Sequence, residues 1–115
     1  MIAGDLRYGV YEYMQAIENL KINSVELIDG AIIQIALNCD WPQESTAKIA
    51  KLVVTQANGA AEFEHILGAD RESFRIQWRQ QFFSLHFECY SQSCWLEADE
   101  AASQELIYEL YAQLA

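Results

Sequence analysis

Between residues 62 and 97 the chain alternates apolar and polar side chains in four consecutive short runs, and this period of two limits the possible folds more than any other feature. Phe63, His65 and Leu67 alternate with Glu62, Glu64 and Ile66. Phe74, Ile76 and Trp78 alternate with Ser73, Arg75, Gln77 and Arg79. Phe83, Leu85, Phe87 and Cys89 alternate with Ser84, His86, Glu88 and Tyr90, and a final short run spans residues 94–98. Such runs predict strands of an antiparallel meander with one face in the core. Two-residue loops at Ala69-Asp70, Gln80-Gln81 and Ser91-Gln92 set Trp78 opposite Phe83, Ile76 opposite Leu85 and Phe74 opposite Phe87. Every core residue then meets a core residue.

Helical spacing flanks these runs. Leu6, Val10, Tyr13, Met14 and Ile17 predict a helix over residues 5–20, with Asp5 as N-cap. Residues 25–28 and 31–37 read as a hairpin about Asp29-Gly30, a dipeptide that tolerates positive φ. Pro42 and Glu44 mark a helix start. Ala47, Ala50, Val53, Val54 and Ala57 form its stripe, and Asn58-Gly59 ends it. After Asp99, a predicted N-cap, Ala102, Leu106, Ile107, Leu110, Tyr111 and Leu114 recur at helical spacing. The order helix, two strands, helix, four strands, helix predicts an α+β fold: one mainly antiparallel sheet, a hairpin plus a four-stranded meander, with helices packed on one face. At 115 residues the expectation is a single domain, residues 1–115.

The net charge is −10, and residues 88–115 hold six acids and no Lys or Arg. Such a surface repels phosphate backbones and anionic lipid, so neither nucleic acid nor membrane is an expected partner, whereas a basic protein is. No apolar run approaches the roughly 20 residues that span a bilayer. Residues 1–20 lack a basic start and a cleavage site, so the expected location is the cytoplasm. Three cysteines without framework spacing fit reduced thiols there.

On the outer face the predicted register makes one row of Glu64, Arg75, His86 and Glu97. It reads either as a charge ladder or as a polar site in which His86 moves a proton, held by Glu97 and tuned by Arg75. The neighbouring row is Ser73, Glu88 and Trp95. A tryptophan on a polar face is either covered by another element, such as the first helix, or offered to a partner. No metal site is expected. Cys89 and Cys94 face each other on the core side of that register, His86 points outward, and His65 falls on the apolar face as a core histidine. No nucleophile, base and oxyanion donor assemble, and no glycine-rich loop cradles a phosphate, so no cofactor is expected.

Phe87, Glu88, Tyr90, Ser91, Ser93, Trp95 and Glu97 form the pattern Phe-Glu-x-Tyr-Ser-x-Ser-x-Trp followed by an acid. This stretch resembles a family of small proteobacterial proteins of unknown function. The resemblance implies a compact bacterial cytosolic protein and brings no activity with it. It directs attention to the hairpin that carries Glu88, Tyr90 and Trp95 as partner-binding residues. An exposed strand edge there would allow a homodimer. The expected function is a non-enzymatic protein–protein interaction module. The alternative is a small-molecule-binding protein or enzyme with its site around His86.

Overall fold

The computed structural model describes residues 19–69 and 71–115. Apart from its last two residues, the helix predicted over residues 5–20 lies outside them, as does Asp70 of a predicted loop. Strands β1 (Ile22–Ile28) and β2 (Ile32–Leu37) are followed by a 3-10 turn (Gln43–Ser45) and helix α1 (Thr46–Ala57). Strands β3 (Ala61–Leu67), β4 (Glu72–Trp78), β5 (Gln81–Glu88) and β6 (Ser93–Ala98) come next, then helices α2 (Ala101–Gln104) and α3 (Ile107–Leu114). The six strands form one sheet in the order β1-β2-β6-β5-β4-β3, each neighbour antiparallel to the next. The fold class is α+β, as the order of predicted elements requires.

The expected hairpin forms where predicted. Asp29 and Gly30 adopt φ of 53° and 64°, and the Ala31 N–H donates to the Ile28 carbonyl at 3.0 Å. The end of α1 is also as predicted, with Asn58 and Gly59 both at positive φ. The stripe of α1 is rotated from the expected one. Ile49, Ala50, Val53 and Ala57 are buried, while Ala47 is exposed and Val54 half-buried. The larger Ile49 excludes more apolar surface than Ala47 can, so the helix turns that way.

The core lies between the helices and the central strands. Ile33 and Ile35 of β2, Phe74, Ile76 and Trp78 of β4, Phe83, Leu85 and Phe87 of β5, and Cys94 and Leu96 of β6 are all buried. Against them pack the α1 residues and Ile107, Leu110 and Leu114 of α3. Trp78 joins the layers, donating from Nε1 to the Ala57 and Asn58 carbonyls at 3.0 and 3.2 Å. These are carbonyls that the end of α1 cannot satisfy within the helix.

The predicted faces hold for β4 to β6, but the register is displaced by two residues. Ile76 meets Phe83, Phe74 meets Leu85, and Trp78 meets Gln81 instead of Phe83. The β4–β5 turn is Arg79-Gln80, at φ of 51° and 68°. The β5–β6 loop has four residues, 89–92, so Leu85 meets Leu96 and Phe87 meets Cys94. Gln92 sets this loop by a long-range clamp. Its Oε1 accepts from the Trp41 N–H, and its Nε2 donates to the Trp41 and Cys89 carbonyls, at 2.8, 2.8 and 2.9 Å.

Three further expectations are corrected. The β5–β6 hairpin is central, because β2 pairs with β6 through Ile33 and Leu96; the sheet edges are β1 and β3. His65 is not in the core. All of β3 is exposed, and His65 stacks on Phe74 at 4.2 Å while its Nε2 meets Glu72 Oε2 at 2.5 Å. The final helix is two helices, and its cap is Glu100, in a capping box with Ser103. Asp99 is unavailable as a cap because its carboxylate binds Arg75 and Ser84.

This layering predicts a contrast. Phe83→Ala, at a fully buried site, is expected to lower the free energy of unfolding by about 3–5 kcal/mol. Phe63→Ala, on the exposed edge strand, is expected to cost less than about 1 kcal/mol. Urea denaturation of both variants checks this; equal losses would contradict the placement of the core.

Candidate functional site on the outer sheet face

The polar cluster sits on the sheet face turned away from α1 and α3. The two-residue displacement places Ser84 in the row with Arg75 and Glu97, and places His86 in the row with Ser73 and Trp95. The expected row of Glu64, Arg75, His86 and Glu97 therefore does not form. Glu64 lies opposite Arg75 as predicted. The Arg75 guanidinium, however, turns to Asp99, with Nε 3.1 Å from Oδ2, and lies 4.0 Å over the Phe82 ring. Ser84 Oγ donates to the other Asp99 oxygen at 2.5 Å.

His86 and Glu97 still meet, on the diagonal between adjacent rows. His86 Nε2 is 2.8 Å from Glu97 Oε1, and His86 Nδ1 is 2.6 Å from Ser73 Oγ. One tautomer of the neutral imidazole satisfies both contacts: Nε2–H donates to Glu97, and Nδ1 accepts from the Ser73 hydroxyl. Ser73 is 8% and His86 9% exposed, so neither has much access to water. Burial is the largest influence on His86 and pushes its pKa below 6.5. The Glu97 charge and hydrogen bond oppose this, Arg71 adds to the depression, and Asp99 opposes it weakly.

Trp95 is half-buried beside this relay. Its ring centroid is 5.2 Å from that of His86, and the Arg71 guanidinium lies 5.4 Å over its face. A shallow groove of about 300 Å³ runs past it, bordered by Ile28, Ile32, Gln34, Glu88 and Ser93. Two of the three predicted partner-binding residues, Glu88 and Trp95, thus share one concavity. Tyr90 stands fully exposed on the 89–92 loop and borders a different cavity, of about 100 Å³, near Trp41 and Glu72. Neither Ser73 nor His86 lines these two cavities or a third around residues 36–41.

The Ser73, Asp99 and Arg71 contacts were not legible from the sequence. Each joins residues on different strands or loops, and no local spacing distinguishes them. Cys89 and Cys94 do not face each other: Cys89 is exposed in the loop and Cys94 buried opposite Phe87. Among the described residues no three of His, Cys, Asp or Glu are placed to hold a metal ion. No described helix is long and apolar enough to cross a membrane.

Comparison with known proteins places residues 23–115 within the model of a family described as Protein of unknown function (DUF3630). No curated protein and no solved structure matches the chain.

Two outcomes are expected from this geometry. Because the folded His86 holds its proton more weakly than the unfolded chain does, its contribution is present above pH of about 6.5 and is lost as pH falls through the folded pKa. The melting temperature of the wild type should therefore drop below that pH more steeply than that of His86→Gln; parallel curves would contradict the buried neutral imidazole. A thiol reagent should label Cys89 fast and Cys94 only on unfolding, because burial pushes the Cys94 thiol pKa up.

Proposed function

We propose a function from geometry, because the chain belongs to the DUF3630 family and that family's description assigns none. The reading is a non-enzymatic binding protein. It docks a segment of a basic protein partner in the groove beside Trp95, with Trp95 as the apolar anchor and Glu88 as the charge contact. The observation that carries it is the position of Trp95, half-exposed on the outer sheet face and flanked by Ile28, Ile32 and Glu88 in one groove.

Three features support this reading. Aromatic anchors set in pockets supply much of the affinity at protein interfaces. His86 and Arg71 already hold the Trp95 ring, so little side-chain entropy is left to lose on binding. A chain of net charge −10 speeds encounter with a basic partner. A cytosolic bacterial setting, suggested by the resemblance of the β5–β6 hairpin, belongs to the same proposal. A homodimer formed by strand pairing would use β1 or β3, since the hairpin has no free edge.

A second reading is favoured by one observation. The order Ser73 hydroxyl, His86 imidazole, Glu97 carboxylate has the logic of an activated serine, with base and orienting acid in line. A small-molecule or enzymatic site around His86 would use it. Weighing against this, the Ser73 hydroxyl is 8% exposed and borders none of the cavities described above.

The test is a titration of the protein with short peptides that combine Lys or Arg with Leu or Phe, followed by tryptophan fluorescence. Trp41 and Trp78 are buried, so the response reports on Trp95. Binding should weaken at least about tenfold, or roughly 1.4 kcal/mol, in Trp95→Ala and in Glu88→Lys. Acidic counterparts should not bind. Unchanged affinity in both variants would end the interaction reading.

A further inference from the structure

Strand β3 is exposed along its whole length, yet it carries Phe63, Ile66 and Leu67, at 59%, 47% and 68% exposure. These are three of the five large apolar side chains that stand exposed among the described residues, so the exposed apolar surface is concentrated on one strand. The opposite edge of the sheet differs. On β1, Ile22, Val25 and Leu27 pack against the core. Folding gains from burying apolar surface, and β3 keeps three such side chains in water. A long apolar edge strand is also the part of a sheet that recruits another strand.

The register with β4 assigns the two sides of this edge. Glu62 and His65 stand opposite Ile76 and Phe74 on the helix side, followed by Leu67. Glu64 and Ile66 stand opposite Arg75 and Ser73 on the outer side. Phe63 falls where the register shifts, and its ring meets Phe82 edge to face at 5.2 Å and 84°. Arg75 turns to Asp99, so the cation opposite Glu64 is engaged elsewhere. Each side of the edge thus carries a carboxylate nearer the α1 end of the strand and an aliphatic group nearer its other end.

We infer that β3 accepts an extended segment of a basic partner protein as an added strand, with Lys or Arg opposite Glu62 and Glu64 and aliphatic residues opposite Ile66 and Leu67. Every ladder in the sheet is antiparallel, and antiparallel pairing is the more stable per residue. Read from its own N-terminus, the segment therefore has two aliphatic residues, one residue of any type against His65, and then two basic ones. In such additions main-chain hydrogen bonds to the edge supply affinity, and side chains on the two faces supply selectivity. Opposite charges across a ladder stabilise it, and like charges destabilise it. A second copy of the chain fits less well, because two chains of net charge −10 would meet, each bringing Glu62 and Glu64 to the shared edge. This surface is separate from the Trp95 groove, so either reading can fail alone.

The experiment is an NMR titration of the full chain with the peptide Thr-Val-Leu-Thr-Lys-Lys-Thr, a counterpart with Glu-Glu for Lys-Lys, and a copy N-methylated along its backbone. Saturable shifts across residues 61–67, with slowed exchange of their outward amides, are expected from the Lys-Lys peptide alone. Binding should weaken at least about tenfold in the double variant Glu62→Lys, Glu64→Lys, whose two sites are exposed and tolerate substitution. Equal binding of the Glu-Glu or the N-methylated peptide would overturn the inference, as would full binding by the double variant. Shifts confined to Trp95 and its neighbours would place the peptide in the outer-face groove and also overturn it. Outward amides of residues 61–67 that already exchange slowly in the dilute free chain would mean that the chain covers its own edge. Shifts there that depend on protein concentration, without peptide, would mean that a second copy does. Either result rejects the basic partner.

Discussion

Phe83, Leu85 and Phe87 load one side of the central strand β5 with three large side chains, all but sealed from water beneath α1 and α3. Burying each contributes about 1.5–3 kcal/mol, so this strand has one energetically acceptable orientation. The neighbours follow from it. Ile76 and Phe74 on one side, and Leu96 and Cys94 on the other, must present the same face to share the cover. Through β6 the constraint reaches β2, where Ile33 and Ile35 extend the core towards the hairpin.

The same loading dictates what lies on the other face. Phe82, Ser84, His86 and Glu88 have to point away from the helices because they alternate with the core residues. Polar groups placed there at partial burial need partners, and the sheet supplies them across strands rather than along them. His86 is satisfied between Ser73 and Glu97, and Arg75 and Ser84 share Asp99. The His86 ring of this network lies 5.2 Å from that of Trp95, which borders a groove. The outer face is thus ordered by the same strands that build the core.

Much of the architecture was legible because it rests on local physics. Alternation identified β4 to β6 and their faces, Asp29-Gly30 identified the first hairpin, and Asn58-Gly59 ended α1. Failures share one cause, which is that periodicity reports which residues share a face and says nothing about what covers it. Phe63, His65 and Leu67 alternate as well as any core strand, yet β3 is an edge strand and stays exposed. Asp99 is a good cap by residue type, but a pair of groups from β4 and β5 claims its carboxylate first. Ala47 sits at the right spacing, and Ile49 displaces it because it has more surface to bury. In the site, Glu97 with His86 was legible as a pair, while Ser73, Asp99 and Arg71 as its surroundings were not.

The sequence by itself determined the α+β class, the inward and outward sides of the central strands, and the acidic surface. Each of these depends on residue type and on a spacing of two or four positions. The tertiary structure alone decided the register. Sliding β5 by two residues against its neighbours returns every side chain to the same face, so alternation cannot tell the two pairings apart. What separates them is contact between distant segments: the Gln92 clamp on Trp41, 51 residues away in the chain, and the Trp78 indole on the last carbonyls of α1. Those contacts place His86 between Ser73 and Trp95 rather than in the row with Arg75, and so set the chemistry that the outer face can offer.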